Sequence, residues 1–147
     1  MLASTTEARF WLAGQGRLPR VESSETLNWR SKNVEFLRTT IAEGNCLLNL
    51  NERSMEGIIR SAADFLLQTG KLTEEQATEV IQGLIEREQV APTAIGNSCA
   101  IPHFYGAALD QPLTMFIRLK HAVNLGAPDG LATRFIFILI GPVQSAA

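Results

Sequence analysis

Thiols are scarce in this sequence: Cys46 and Cys99 are the only two. They stand apart, with no CxxC and no histidine cluster nearby, which excludes a disulfide framework and a zinc-finger-type site. Buried, reduced thiols in a cytosolic setting are the expectation. Neither sign of charge dominates, since 13 Lys and Arg against 15 Asp and Glu leave a formal net charge of −2. A nucleic-acid partner is therefore not expected, although folding could still gather a local basic patch. Long apolar runs are missing too. The longest, FIFILI at 135–140, is far too short to cross a bilayer, so any link to a membrane must come through residues outside this chain. The opening MLASTTEARFWLAGQGR has no basic segment followed by an apolar one, so no signal peptide is read there. No internal repeat or low-complexity tract is visible, and neither a metal nor a cofactor is expected.

What remains suits one domain with a real core: 147 residues, 46% hydrophobic and 19% charged. Residues 1–30 are polar and irregular, with Pro19, a Ser-Ser pair, Trp11 and Trp29. They read as an arm whose tryptophans anchor it on the domain that follows over 31–147. A short helix is expected over 32–43, with Val34, Leu37 and Ile41 at helical spacing and Gly44 to end it. CLLNL at 46–50 reads as a strand. Ser54 can cap a helix whose stripe is Met55, Ile58, Ile59, Ala62 and Leu66, with Gly70 as its stop. Thr73 and Gln76 form a capping-box pair for the next helix, with Ala77, Val80, Ile81, Leu84 and Ile85 buried and Pro92 barring its extension.

The second half changes period. LTMFIRL at 113–119 alternates, with Leu113, Met115, Ile117 and Leu119 on one face, as a half-buried strand should. RFIFILI at 134–140 is continuous and suits a central strand covered on both faces. GAPDG at 126–130 between them is turn chemistry. Helices and strands together imply a two- or three-layer α/β sandwich. A central strand needs neighbours and a cover, so a chain ending seven residues later at GPVQSAA is expected to be a fragment of a longer domain.

Three motifs could carry chemistry. IGNSCA at 95–100 approaches a serine-hydrolase elbow, but Ala100 replaces the second glycine and Pro102 opposes the helix that must follow Ser98. GQG at 14–16 has neither a strand before it nor a helix after it, and is not a phosphate cradle. The third is His103 in SCAIPHF. An imidazole is a good nucleophile near neutral pH, because its ordinary pKa is about 6.5. Phosphoryl transfer asks mostly for positioning and positive charge. Pro102 biases Ile101 toward an extended conformation, which would project the ring from a strand end. Arg87 in EREQ is the candidate to grip the phosphoryl oxygens. Two bland readings stand beside this one: His103 as a hydrogen-bonded structural residue, and Arg87 paired with neighbouring acids on a solvated face. His121 follows an alternating strand and is placed on the surface, outside any site.

The run EREQVAPTAIGNSCAIPHF at 86–104 resembles the active-site segment of the mannitol/fructose-type EIIA domains of the bacterial sugar phosphotransferase system. Arg87, Pro92, Thr93, Gly96, Ala100, Pro102 and His103 fall on matching positions. The resemblance implies a histidine that takes a phosphoryl group from HPr and passes it to EIIB. Phe104 departs from the small residue that family carries there, and could crowd an incoming partner. A longer resemblance is to the cytoplasmic domain of bicarbonate transporters and anion exchangers, which shares the EIIA fold. It is carried by ARFWL at 8–12, LNWRSKNVEFL at 27–37, IAEGNCLLNLNERSMEGI at 41–58 and FIRLKHAVNLGAPDGLATRFIFILIGP at 116–142.

Together these imply an α/β fold, an EIIA-like sandwich with a mixed β-sheet flanked by helices and truncated at its C-terminal end. The leading expectation is a regulatory domain at the cytoplasmic face of an anion or bicarbonate transporter, joined to a membrane domain in the same longer chain and able to form a homodimer. The alternative is a cytoplasmic phosphocarrier that works with HPr and EIIB, with His103 as acceptor and Arg87 as charge clamp.

Overall fold

The computed structural model describes residues 38–146. The arm at 1–30 with Trp11 and Trp29, the GQG at 14–16 and the first part of the helix expected over 32–43 lie outside the described residues. Residues 38–42 are helical, and Gly44, at a φ of +72°, ends that turn as expected. Ile41 does not face the core: it is 64% exposed, whereas Thr40 is buried. The helix is thus rotated by one residue from the spacing that Ile41 suggested.

Strand β1 (Cys46–Leu50) follows, then α1 (Met55–Gln68) and α2 (Glu74–Val90). Ser54 starts α1 by accepting the Gly57 N–H at 3.1 Å. The helix buries Met55, Ile58, Ile59, Ala62, Ala63 and Leu66, the expected stripe with one alanine added. Thr73 and Gln76 exchange both bonds of the capping box at the start of α2. Two orphan N–H groups are satisfied this way, at a site where such caps contribute about 1 kcal/mol. Ala77, Val80 and Leu84 are buried, while Ile81 and Ile85 sit at the margin of the core.

Five further strands complete the sheet: β2 (Ala94–Gly96), β3 (Cys99–Ala100), β4 (His103–Gly106), the long β5 (Leu113–Val123) and, at the centre, β6 (Thr133–Pro142). A short 3-10 turn, Val143–Ala146, closes the described chain. The order is β1-β5-β6-β3-β2, and β4 also pairs with β6. β1 runs parallel to β5, β5 antiparallel to β6, and β3 and β4 both parallel to β6. The mixed sheet flanked by helices is the fold class expected. Within the described residues it has two layers, with both helices on one face.

Register fixes which side chains see those helices. Met115 lies opposite Ile138 and Ile117 opposite Ile136, and all four join the side chains of α1 and α2 in one core. Each such aliphatic side chain, fully buried, contributes about 1.5–3 kcal/mol. The other face carries Phe116, Phe135 and Phe137. Their rings pack on one another, Phe116 to Phe135 at 6.4 Å and Phe116 to Phe137 at 5.1 Å between centroids. Phe135 is 36% exposed and Leu48 57%. Cover on both faces of β6 was expected, but only one face is deeply buried among the described residues. The unbroken apolar wording of β6 arises because aromatic residues occupy the open face as well.

β3 and β4 are two halves of one line along β6. Ala100 pairs with Ile136 and His103 with Leu139, three residues on in both strands. Pro102 breaks the line because it has no N–H to give, yet its carbonyl still accepts the Leu139 N–H at 2.9 Å. Alternation then places His103 on the open face with Leu139, and Phe104 on the helix face with Ile140. Phe104 lies on α2 at Gly83, where an added Cβ would collide with the ring. Gly83→Ala should therefore destabilise the fold by about 1–3 kcal/mol in urea unfolding, despite the better helix propensity of alanine. In a Phe104→Leu background the same substitution should cost distinctly less; equal costs would show that the close approach does not matter.

Candidate functional site

His103 opens β4 directly after the break at Ile101–Pro102 and is half-buried. Its Nδ1 lies 3.1 Å from the Ile101 carbonyl oxygen. A carbonyl can only accept, so a hydrogen bond here requires the hydrogen on Nδ1, which in the neutral ring puts the lone pair at Nε2. Pro102 is buried and Ile101 precedes it, so the backbone that presents this carbonyl has little freedom.

Arg87 stands in the last turn of α2, half-buried, and donates from one Nη1 to the Ala91 carbonyl at 2.9 Å. It thereby satisfies a C-terminal carbonyl of the helix, where a cation is favoured. Neighbouring acids were one alternative partner for it; the bond that forms is to backbone instead. Glu88, next in sequence, accepts from Thr93 and not from a cation. Thr93 in turn presents its carbonyl to the Ile101 N–H at 3.0 Å. Arg87 and His103 are thus tied to one hydrogen-bonded segment, from the end of α2 through Thr93 and Ile101 to β4.

The turn between β2 and β3 has three successive residues in the left-handed region: Gly96 at φ +96°, Asn97 at +50° and Ser98 at +58°. Such a backbone needs support, and Asp129 supplies it. Its carboxylate accepts the Asn97 N–H at 2.7 Å and the Leu131 N–H at 3.1 Å. These bonds, the one to Asn97 first, hold the Asp129 carboxyl below its ordinary pKa. Ser98 then offers its carbonyl to Arg134 N and Phe135 N, which sets β3 on β6. The setting of Ser98 is strand-turn-strand, which disposes of the hydrolase elbow. Sequence reasoning named neither Asp129 nor Glu88; the PDG turn was visible, but a contact 32 residues away in sequence was not.

Other candidates take no part. His121 is exposed on β5, which runs four residues past the expected Leu119. Cys46 faces the aromatic side of the sheet beside Phe116, and burial pushes its thiol pKa up, so it stays protonated at neutral pH. A hollow of about 600 Å³ runs along α2 beside Phe104, lined by Glu75, Glu79, Gln82 and Glu86. It belongs to the Phe104 side of β4, and its carboxylates would repel a phosphoryl group. Phe104, expected to crowd a partner at the histidine, points away from His103. No helix among the described residues is long and apolar enough to cross a membrane.

A mixed sheet flanked by helices is the fold that this chain shares with solved EIIA domains. The nitrogen regulatory protein IIA-Ntr of Neisseria meningitidis superposes with a TM-score of 0.61 at 29% identity, over 69% of this chain and 68% of that one. IIA mannitol of Escherichia coli gives 0.55 at 24%, over 69% and 72%. Residues 40–147 match the family described as phosphoenolpyruvate-dependent sugar phosphotransferase system, EIIA 2, and the chain belongs to that family. Among curated relatives, the nitrogen regulatory protein of Pseudomonas aeruginosa is 26% identical over 106 residues, 72% of this chain and 68% of that protein. The fructose-like EIIA component of Escherichia coli is 30% identical over 83 residues, 56% of this chain and 55% of that protein. The chain spans only 14% of the fructose-specific EIIABC component of Bacillus subtilis.

These matches overturn the expectation of a bicarbonate-transporter or anion-exchanger cytoplasmic domain, and with it anion transport. The wording that suggested it has a simpler cause. TRFIFILIGP is the central strand β6, whose apolar pattern any sheet of this fold demands, and the arm segments lie outside the described residues.

The Asp129 clamp predicts a signature in acid. Its pKa is lower folded than unfolded, so it contributes stability above the unfolded value, near pH 4, that is lost as pH falls through the folded value. Urea midpoints of wild type and Asp129→Asn should differ at pH 6 and converge well below pH 4; a constant gap would rule out the clamp.

Proposed function

We propose that this chain is a phosphocarrier of the EIIA type, with Nε2 of His103 as the phosphoryl acceptor and Arg87 as the cation that receives the phosphoryl oxygens. The observation that carries it is the Nδ1 contact to the Ile101 carbonyl, which supports a ring held as Nδ1–H with its lone pair outward on Nε2. The EIIA family of residues 40–147 supports the reaction class.

The step needs little covalent chemistry from the protein. The Nε2 lone pair attacks the phosphorus of a phosphohistidine on the donor, HPr. An N–P bond forms to His103 as the donor N–P bond breaks, and that electron pair returns to the donor imidazole. Positive charge grows on the His103 ring, where the Nδ1–H···O=C bond strengthens and stabilises it. Arg87 uses one Nη1 on Ala91, which anchors the guanidinium and leaves its other N–H groups to bind phosphoryl oxygens in this reading. The position of His103 on the open face, with Phe104 turned under α2, supports access for a partner. The onward acceptor is an EIIB unit; a complex of enzyme IIAMTL with phosphorylated enzyme IIBMTL is known from Escherichia coli. Such a relay operates in the cytoplasm, in keeping with two free thiols.

The test uses purified protein with phosphoenolpyruvate, enzyme I and HPr from the source organism. Wild type should take up label, His103→Ala none, and Arg87→Lys should be slower by about a hundredfold. Two-dimensional NMR of the labelled ring should place phosphorus on Nε2. A folded wild type that stays unlabelled, or label that survives His103→Ala, would sink the proposal.

A further inference from the structure

Glu88 has no part in the chemistry above, yet both of its oxygens are engaged. Oε1 and Oε2 accept the Thr93 N–H at 3.0 and 3.2 Å, and Oε2 also accepts the Thr93 hydroxyl at 2.7 Å. Thr93 is buried at 6% exposure, so its N–H and hydroxyl would be costly to leave unpaired. The Thr93 carbonyl accepts the Ile101 N–H at 3.0 Å, and the Ile101 carbonyl faces Nδ1 of His103 at 3.1 Å. An unbroken series of contacts therefore runs from a carboxylate on α2 to the imidazole.

On the β6 side this stretch is held by the Pro102 carbonyl, which accepts the Leu139 N–H at 2.9 Å; on the other side regular pairing is sparse. β2 is three residues long, and its pairing with β3 is irregular between Ala94 and Gly96. Ile101 and Pro102 lie in the gap between β3 and β4, outside the regular ladder. Pro102 can donate nothing, so on the side away from β6 the bond from the Ile101 N–H to Thr93 is the tie that helps to orient Ile101 and its carbonyl. Thr93 in turn is placed by Glu88. A residue serving only solubility would direct its carboxylate to water, whereas this one spends it on a single buried threonine.

We propose that Glu88 is a positioning residue for His103: through Thr93 and Ile101 it holds the imidazole as the Nδ1–H tautomer and so keeps the lone pair on Nε2. The effect on phosphoryl transfer rests on the phosphocarrier reading, but the effect on the ring does not, because the tautomer exists in the unphosphorylated protein.

The experiment is nitrogen-15 NMR of the His103 ring at a pH where it is neutral, in wild type, Glu88→Ala and Glu88→Gln. Wild type should show the Nδ1–H form alone. Glu88→Ala, folded by circular dichroism, should show averaged nitrogen shifts from mixed tautomers, and its transfer rate should fall about tenfold. Glu88→Gln keeps an oxygen acceptor for Thr93 and should stay within about twofold of wild type. A folded Glu88→Ala with wild-type ring shifts would overturn the proposal, as would a wild type not in the Nδ1–H form. Should Glu88→Ala not fold, Thr93→Val removes only the hydroxyl at near-constant volume. Mixed tautomers there support the proposal and an unchanged ring refutes it. A wild type that never accepts phosphoryl would defeat the phosphocarrier reading alone, since the ring shifts are read without it.

Discussion

The site depends on one interruption in a β-ladder. β3 and β4 would be a single strand along β6 but for Pro102, which gives no hydrogen to the ladder and yet keeps its carbonyl on Leu139. The break frees the Ile101 carbonyl from ladder duty so that it can meet the imidazole two residues on. A regular strand would commit that carbonyl to a neighbouring N–H. The same break leaves the alternation intact, and alternation sends His103 to one face and Phe104 to the other. A shift of one residue would exchange the two, burying the imidazole under α2 and exposing the phenyl ring.

Two close approaches protect that register. Gly83 admits the Phe104 ring against α2, which pins β4 from the helix side. Asp129 grips the left-handed turn at 96–98, which pins β3 from the loop side. Each is a polar or steric contact between parts of the chain far apart in sequence, and each acts on a strand of four residues or fewer. Strands that short have few ladder bonds of their own, so tertiary contacts must carry their placement. The core of α1, α2, β5 and β6 supplies the stability, while these side contacts decide where the histidine points.

Much of this was legible in the sequence, for a physical reason that also explains the rest. Ser54, Thr73 and Gln76 signal their caps through local hydrogen bonds, and the stripes of α1 and β5 report a single buried face; both kinds of signal act within a few residues. Contacts that span the fold leave no such trace. Phe104 looked like an obstruction beside His103 because adjacency in sequence was taken as adjacency in space, whereas in a strand neighbours point apart. Neighbouring acids looked like possible partners for Arg87, but the backbone carbonyl of Ala91 is the group it meets. β6 looked covered on both faces because its apolar run is continuous, and the run instead joins a buried aliphatic face to a half-open aromatic one.

The mistaken likeness to a transporter domain has the same origin as the successes. A central strand constrains its wording strongly, so a run such as TRFIFILIGP says little about function. Those residues report architecture. The segment 86–104 is different in kind, because nothing in the packing of a sheet requires an arginine at the end of α2 or a histidine after a strand-breaking proline. Apolar side chains would serve stability at least as well at both positions. A half-buried imidazole with its Nδ1 directed to backbone, and a guanidinium held at one corner, restrict rotamers without adding to the core. Polar groups ordered at an entropic cost, one on the open face beside a break in the ladder and one at the end of α2, are what the packing of the fold leaves unexplained.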